Sequence, residues 1–259
     1  VEYTQGGVQF NREYFCSYPD KLMALHFTAD KAGKISFSLS HSLVYPPEEV
    51  IESENGLTFN GIIRKNGLSY TIRIKIVQQG GSVKVAHQRI VVEKANEATV
   101  FYAVDTEYAP VYPLYKGENP QQNTGKVITK AITKGYETVK NTHISDYQTL
   151  YNRVRFTLTG DTASEQLPTN MRVKQLQKGF TDDASLKVLG FNLSRYLLIS
   201  ASRPGTLPST LQGVWNTFEK APWNGNFQSN INLQEMYWGC GPTHLPECEE
   251  AYLEWIEGL

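Results

Sequence analysis

The chain of 259 residues is 40% hydrophobic and 20% charged, a composition typical of folded globular proteins and not of disordered ones. A formal net charge of −1 argues against nucleic-acid binding, which requires a basic stripe or patch. No apolar run reaches the roughly 18 residues of a membrane-spanning helix, so the sequence predicts a globular protein that does not span a membrane.

The cysteines and histidines give no metal-binding pattern. Cys16, Cys240 and Cys248 are predicted to be free thiols, with a Cys240–Cys248 disulfide as the alternative. No C-x-x-C pair or His/Cys cluster has the ligand spacing of a zinc site. We therefore expect no metal and no cofactor.

From Val1 to about Asp105 one short strand follows another. The segments are rich in β-branched and aromatic residues and are separated by turn signals such as Asn66-Gly67 and Gly80-Gly81. Predicted strands cover residues 1–15, 21–29, 34–42, 56–63, 68–78, 82–94 and 97–106. Strands that recur about every 10 residues with no helix between them predict an antiparallel sandwich or barrel.

A proline-rich segment, from about residue 104 to residue 125, is predicted to be a loop that separates two regions. Helical spacing follows over residues 126–154, and a short strand is predicted at residues 153–160. A firm helix is predicted over residues 181–202, because its leucines recur at helical spacing and Asp182 or Asp183 can cap its start.

These elements predict a β region followed by an α region. The predicted boundaries are a β-sandwich domain over residues 1–125, a helical linker with a short strand over 126–182, and the first helices of an α domain over 183–259. The first residues read as a strand already in progress, and the last read as a helix that stops. We therefore expect a piece of a longer protein, whose lack of a leader says nothing about localisation.

All four tryptophans, from Trp215 to Trp255, fall in the last 45 residues. The segment around them has few charges and many Asn, Gln, Gly and Pro residues. Flat aromatic rings beside neutral amides suit a sugar, because its apolar faces stack on rings while its hydroxyls pair with amides. Each tryptophan taken alone is as readily explained as a core residue, but several buried amides without partners would be costly.

Two motifs in this segment carry a family resemblance. "SRPGTLPSTLQGVWN" at residues 202–216 and "APWNGNFQSNINLQEMYW" at residues 221–238 closely resemble glycoside hydrolase family 95, the inverting α-L-fucosidases and α-L-galactosidases. The segments at residues 12–37 and 146–154 resemble its β domain and its linker helix. The resemblance covers nearly the whole chain in order.

The resemblance implies an antiparallel β super-sandwich, a helical linker and the beginning of an (α/α)6 barrel. It implies hydrolysis of terminal α-L-fucosyl residues with inversion, in which Asn230 and Asn232 hold the water that attacks the sugar. The two amides would share a face if Ile231 lay in an extended segment and turned into the core. The residues expected to bind the sugar are Gln212, Trp215, Asn216, Trp223, Gln228, Tyr237 and Trp238.

The sequence departs from the family pattern in two respects. The family's acid Glu and base Asp lie further along the barrel than Leu259, so these residues alone are expected to be inactive. Glutamates that match neither role are Glu235, Glu247, Glu249, Glu250, Glu254 and Glu257. Many fucosidases of the family have His where this chain has Gln228, which leaves open an α-L-galactoside or another L-sugar.

Two other functions remain as alternatives at this point. One is an α-L-galactosidase of the same family, and the other is a carbohydrate-binding module without catalysis. The expected partner in each case is a glycan with a terminal α-L-fucose or a similar L-sugar, and the oligomeric state is undecided. The resemblance implies a periplasmic or extracellular protein, because such family members are typically exported bacterial enzymes or secreted plant enzymes.

Overall fold

The computed structural model describes residues 1–160, 163–179, 182–218 and 220–258. The chain forms two compact units, Val1–Asp146 and Tyr147–Leu259. The first unit is built mainly from strands, and the described part of the second is helical with long loops. The predicted order of antiparallel β region and then helices is therefore confirmed.

The first unit contains two antiparallel sheets. Seven strands pair in the order β1-β2-β3-β10-β7-β6-β5, and three pair in the order β4-β9-β8. The strands are β1 (Glu2–Gln5), β2 (Val8–Ser17), β3 (Leu22–Ala29), β4 (Ile35–Ser40), β5 (Glu49–Ser53), β6 (Gly56–Ile63), β7 (Leu68–Gln79), β8 (Ser82–Ala86), β9 (Arg89–Ala95) and β10 (Glu97–Thr106).

The predicted single strand at residues 82–94 is wrong, because it is the hairpin β8–β9. His87 and Gln88 form its turn, with φ values of 52° and 58°. Two consecutive residues with positive φ match the right-handed twist of the flanking strands. Neither is the Asn or Gly that usually marks such a turn, so the sequence pattern does not reveal it.

Strand β10 is buried on both faces, which places the core of this unit. Val100 points to a cluster shared by the two sheets, with Ile76 of β7 and Ile90 of β9. The next residue, Phe101, points to the opposite face and packs there with helical residues such as Val139. This alternation follows from the two-residue period of a strand.

The helices on that second face are α1 (Pro120–Lys134) and α2 (Tyr136–Tyr151). The predicted loop to residue 125 is too long, because the Asn119 side chain accepts hydrogen bonds from the Gln121 and Gln122 N–H groups at 2.8 and 3.2 Å and starts α1 at Pro120. The predicted continuous helix is also divided. Gly135 ends α1 with φ 75°, a conformation that glycine adopts without strain.

The described helices of the second unit are the end of α2 with α3 (Thr169–Gln177), α4 (Ala184–Ala201), α5 (Asn232–Tyr237) and α6 (Pro246–Glu257). The predicted strand at residues 153–160 is wrong, since residues 154–160 are irregular. The Val154 carbonyl accepts a hydrogen bond from Arg195 at 3.4 Å instead of joining a ladder. Phe156 packs on Phe191 of α4 with ring centroids 4.8 Å apart.

Helix α4 confirms its prediction and shows how its start is fixed. The Asp183 carboxylate accepts from the Leu186 N–H at 2.9 Å as the N-terminal cap. Arg172 of α3 also donates to both oxygens of this carboxylate, at 2.8 and 2.7 Å. These bonds, led by that from Arg172, lower the pKa of Asp183 to about 2. Among the described residues, no helix is both long and apolar enough to cross a membrane.

Replacing Asp183 by Asn is expected to remove one acid-dependent component of stability. Because the native pKa of about 2 lies below the ordinary value of 3.8, the unfolded chain binds this proton first as the pH falls. The stabilisation is therefore fully present above about pH 4 and is lost between about pH 4 and about pH 2. Thermal unfolding followed by circular dichroism should show a shallower pH dependence in Asp183→Asn.

Asp182→Asn is the matched control, because Asp182 is 84% exposed and its ion pair with the exposed Lys187 contributes little to stability. Its pH profile should follow that of the wild type. Equal slopes for the wild type and Asp183→Asn between about pH 4 and about pH 2 would contradict the role assigned to the Arg172–Asp183 pair.

Candidate functional site

The predicted site segment joins α4 to α6 and consists mainly of loops. A turn with a 3-10 hydrogen-bond pattern lies at Pro222–Gly225, and the short helix α5 begins at Asn232. Few backbone groups in this segment are paired by regular structure. Its conformation therefore depends on side-chain hydrogen bonds and on a few buried anchors.

Tyr237 is the principal anchor, and it lies in the core instead of at the surface. Its side chain is 3% exposed and stacks on Tyr252 of α6 with centroids 5.3 Å apart. Its hydroxyl accepts from the Ser209 N–H at 2.9 Å and lies 2.7 Å from the Ser202 hydroxyl. Ser202 donates in turn to the Cys248 carbonyl at 2.7 Å, so Tyr237 must be the donor to Ser202.

This chain of hydrogen bonds has a single direction. Burial raises the pKa of Tyr237, so its hydroxyl stays protonated and able to donate. The bonds fix both ends of the segment from Ser202 to Ser209, which is the first half of the first family motif. Tyr237 thus supports the candidate site from below, and the described structure gives its ring no open face for a sugar.

Gln212 links two separate parts of the loop region. Its Nε2 donates to the Pro222 carbonyl at 3.1 Å, and the neighbouring Leu211 N–H donates to the Asn226 carbonyl at 3.5 Å. The buried Gln212 Oε1 has no hydrogen-bond partner among the described residues. Gln228 joins the same turn, because its Nε2 donates to Asn226 Oδ1 at 2.6 Å.

The turn that carries Trp223 is strained. Trp223 and Asn224 have φ values of 49° and 59°, a region that non-glycine residues seldom adopt. The Trp223 side chain is 73% exposed. Backbone strain of this kind collects at functional sites, where the surrounding structure maintains it.

The other predicted sugar-binding residues are also exposed. Trp215 and Trp238 have 52% and 65% of their surface exposed, so both rings can take part in binding. Asn216 closes its own turn by donating to the Phe218 carbonyl at 2.8 Å and accepting from the Phe218 N–H at 3.2 Å. The structure thus brings Gln212, Trp223 and Gln228 to one turn and places Asn216 in another.

Asn230 and Asn232 lie at the start of α5, and both are exposed. Within the described chain neither side-chain amide has a hydrogen-bond partner. The expected extended geometry is wrong, because Ile231 has φ −157° and ψ −39°. Ile231 is also 43% exposed and does not turn into the core. Instead Leu233, which is fully buried, anchors α5 together with Tyr237.

Two of the glutamates nearby are engaged in structural contacts. Glu247 pairs with both terminal nitrogens of Arg153 at 2.7 and 2.8 Å, and Glu254 accepts from the Gly205 N–H at 2.9 Å. Cys240 and Cys248 are buried thiols whose pKa values burial raises to about 12 and about 11. The described residues contain no group of three His, Cys, Asp or Glu side chains that could hold a metal.

Several residues that shape the site are not apparent in the sequence. Ser202, Ser209 and the Arg153–Glu247 pair act through partners that are distant in the chain. Ser202 has a local signal, since it is the last residue of the helix predicted over residues 181–202 and directly follows α4. Arg195 is a further case, because its buried guanidinium donates to the Leu150 and Tyr151 carbonyls at the end of α2 at 3.0 and 2.7 Å.

Two family models match successive parts of the chain. Residues 1–110 match "Glycosyl hydrolase family 65, N-terminal domain", and residues 135–259 match "Glycosyl hydrolase family 95 catalytic domain". A solved structure described as "Putative kojibiose phosphorylase from human microbiome" covers 82% of this chain, and the match covers 28% of that chain, with a TM-score of 0.51 and 10% identity. At that identity the likeness shows the fold alone.

Relatives with curated names are plant and fungal proteins. "Alpha-L-fucosidase 2" of Arabidopsis thaliana is 31% identical over 100% of this chain and 34% of its own length. "Probable alpha-fucosidase A" of Aspergillus niger is 31% identical over 96% of this chain and 32% of its own length. The chain thus spans about a third of the curated relatives that it matches. These relatives are not bacterial, so they lend no support to a bacterial source.

The fold and the matched segments define a β domain followed by a helical segment that matches part of a glycoside hydrolase catalytic domain. The chain belongs to glycoside hydrolase family 95. The family resemblance inferred from residues 202–216 and 221–238 is therefore confirmed.

Replacing Tyr237 by Phe is expected to destabilise the second unit by about 1 to 3 kcal/mol, because the buried Ser209 N–H loses its acceptor. The ring and its packing are retained, so the loss reports the hydroxyl alone. Urea unfolding measures the change in free energy.

The matched control is Tyr252→Phe, which removes a hydroxyl from the ring that stacks on Tyr237. Within the described residues that hydroxyl makes no hydrogen bond, so the free energy of unfolding should change little. Equal losses in the two variants would rule out the anchoring role of the Tyr237 hydroxyl.

Proposed function

We propose that this chain is part of a glycoside hydrolase that removes terminal α-L-fucosyl residues from glycans with inversion of the anomeric carbon. Two kinds of observation support the proposal. The chain belongs to family 95, and its curated relatives are named as α-fucosidases. The loop segment also presents exposed indole rings and unpaired amides, which are the groups that a neutral sugar requires.

Asn230 and Asn232 are proposed to hold the attacking water. An inverting hydrolase keeps its two carboxyl groups about 6.5 to 9.5 Å apart, which leaves room for a water molecule between the base and the sugar. An amide carbonyl cannot remove a proton from that water. It can accept one of the water's hydrogens and so direct a lone pair at the anomeric carbon, which is a positioning effect.

The unpaired state of these two amides is the single observation that carries the proposal. Both side chains are exposed and make no hydrogen bond within the described chain, while their backbone is anchored by the buried Leu233 and Tyr237. An anchored backbone with free amides is prepared to orient a small ligand. The Asn216 amide, in contrast, closes a turn with Phe218, so its hydrogen-bonding groups are not available to orient a water.

The proton transfers are assigned to carboxylates elsewhere in the protein. Glu247 and Glu254 are engaged with Arg153 and Gly205, and the glutamates of α5 and α6 match neither catalytic role in the family pattern. On the family resemblance, the acid and the base are expected to be a Glu and an Asp further along the barrel. We therefore propose that these 259 residues supply the water-positioning part of the site.

Trp215, Trp223 and Trp238 are proposed to stack on the sugar and its neighbouring residues, and Gln212 and Gln228 to bind hydroxyls. The exposure of the three indole rings supports their stacking role. Gln212 and Gln228 are half-buried, and the role proposed for them rests on their place in the turn beside Trp223. Tyr237 is proposed to be a positioning residue and not a sugar-binding one, because its ring is buried and its hydroxyl already makes hydrogen bonds to Ser202 and Ser209. Export to the periplasm or the cell exterior is part of the proposal and rests on the family resemblance.

The full-length protein is expected to release β-L-fucose from an aryl α-L-fucoside, and proton NMR of the first product identifies the anomer before it equilibrates. Asn230→Ala and Asn232→Ala should each lower kcat by about 100-fold, because misplacing a reactant by about 1 Å costs that much. KM should change less, since the amides act on the water.

Asn170→Ala is the control, because Asn170 is an exposed amide on α3 that lies outside the proposed site. It should retain wild-type kcat. Wild-type rates in both Asn230→Ala and Asn232→Ala, or release of α-L-fucose as the first product, would refute the proposed mechanism. Glycan binding without any hydrolysis would favour the non-catalytic binding module instead.

An α-L-galactosidase of the same family is the second candidate, and Gln228 is the observation that favours it. This residue has φ 51° and replaces the His found in many fucosidases of the family. L-galactose differs from L-fucose by a hydroxyl at C6, which an amide can bind. We expect a preference for the aryl α-L-fucoside in kcat/KM, and the reverse preference against the aryl α-L-galactoside would establish the alternative.

A further inference from the structure

A cleft lies in the β unit, where the two sheets differ in width. Strand β4, at the edge of the three-stranded sheet, contacts β3. Strands β2 and β1 continue the seven-stranded sheet beyond β3, so they extend past the edge of the smaller sheet. The cleft of about 260 Å³ that results is lined by strands β1 to β4.

Aromatic rings form one side of this cleft. Tyr3 and Phe10 are directly opposite in the β1–β2 register, and their rings stack with centroids 5.1 Å apart and planes 15° apart. Phe27 of β3 lies beside them and packs on Phe37 of β4 at 4.7 Å. Rings that stay partly exposed in a cleft provide a flat apolar surface for a ligand.

The charged side chains of the cleft are all positive. Arg12 and Lys34 line it, and no Asp or Glu is among the lining residues. In the part of the chain that the structure describes, neither cation forms an ion pair. Arg12 lies over the Tyr3 ring at 4.8 Å and donates to the Tyr3 hydroxyl, which holds the guanidinium in place. Its remaining N–H groups are free to donate to an anion.

Polar groups complete the lining on the side of β4. Ser36 and Ser38 are exposed there; the Ser36 hydroxyl accepts from the Lys94 N–H at 2.9 Å and keeps its own hydrogen to donate. Among the described strands β4 pairs with β9 alone, so its other edge has unpaired backbone groups. Hydroxyls and free backbone groups beside stacked rings suit a sugar, and the two cations suit a negative charge. The volume is smaller than the about 300 to 1,000 Å³ of sites for drug-sized ligands, so one residue fits.

We propose that this cleft is a second carbohydrate-binding site, which takes a single sugar residue that carries a carboxylate. It would tether the protein to an acidic glycan while hydrolysis takes place elsewhere. Arg12 and Lys34 recognise the carboxylate, the rings of Tyr3 and Phe10 support the sugar, and the β4 edge binds hydroxyls. The site does not depend on hydrolase activity, because every lining residue belongs to the β unit.

Galacturonic acid and galactose are suitable probes, because the two sugars differ only in the carboxylate or hydroxymethyl group at C6. The full-length protein is expected to bind galacturonate with a dissociation constant on the order of 1 mM and to bind galactose at least about tenfold more weakly. Ligand-observed NMR titration measures both. Added salt should reduce the difference, because exposed charges are screened.

Arg12→Gln should weaken galacturonate binding by about tenfold, the loss expected for one charge-assisted hydrogen bond, and should leave galactose binding unchanged. Tyr3→Ala should weaken both sugars. Lys34→Gln tests the charge at a second position if Arg12→Gln disturbs folding. The control is Arg64→Gln, which makes the same charge change at an exposed residue between β6 and β7.

Three outcomes would overturn the proposal: no binding of galacturonate, equal binding of the two sugars, or equal losses in Arg12→Gln and Arg64→Gln. The result is separable from the proposed hydrolysis. If the protein binds galacturonate but lacks fucosidase activity, this site stands and the proposed function fails. If it has fucosidase activity but does not bind galacturonate, the proposed function stands and this site fails.

Discussion

The hydroxyl of Tyr237 is the contact on which the geometry of the candidate site depends. It connects the residue after α4, the loop at Ser209 and, through Ser202, the backbone of α6. A loop segment without regular backbone pairing has few other means of keeping one conformation. A buried hydroxyl whose bonds are all made is also costly to displace. The exposed amides and indole rings of the segment are therefore carried on a backbone that this hydroxyl helps to fix.

In the helical unit, buried or half-buried arginines fix the ends of the helices. Arg195 satisfies carbonyls at the end of α2, Arg172 binds the carboxylate that caps α4, and Arg153 binds Glu247 at the start of α6. In each case a guanidinium meets a helix terminus or the residue that fixes one. Helix ends carry unpaired backbone groups, and arginine can reach them with several donors at once. These arginines thus fix the points at which the loops leave and enter the helices.

The β unit is organised by the double burial of β10, and its cleft follows from the unequal number of strands in the two sheets. Residues on one face of β10 fill the space between the sheets, and those on the other face meet α1 and α2. Beyond β3 the smaller sheet no longer covers the larger one. Side chains that would belong to a sandwich core, such as Tyr3 and Phe10, become a partly open surface there.

The sequence by itself determined those features that depend on local chemistry. Periodicity located most strands, the Asp183 cap and leucine spacing located α4, and the motif around residues 202–238 identified the family. Only the tertiary structure decided features that need a distant partner. Residues 153–160 have strand composition but pair with no strand in the part of the chain that the structure describes. Tyr237 has the character of a sugar-binding residue but is buried, and its hydroxyl binds Ser209. Likewise, the pairing of Gln212 with Pro222 depends on a turn ten residues away that no local pattern specifies.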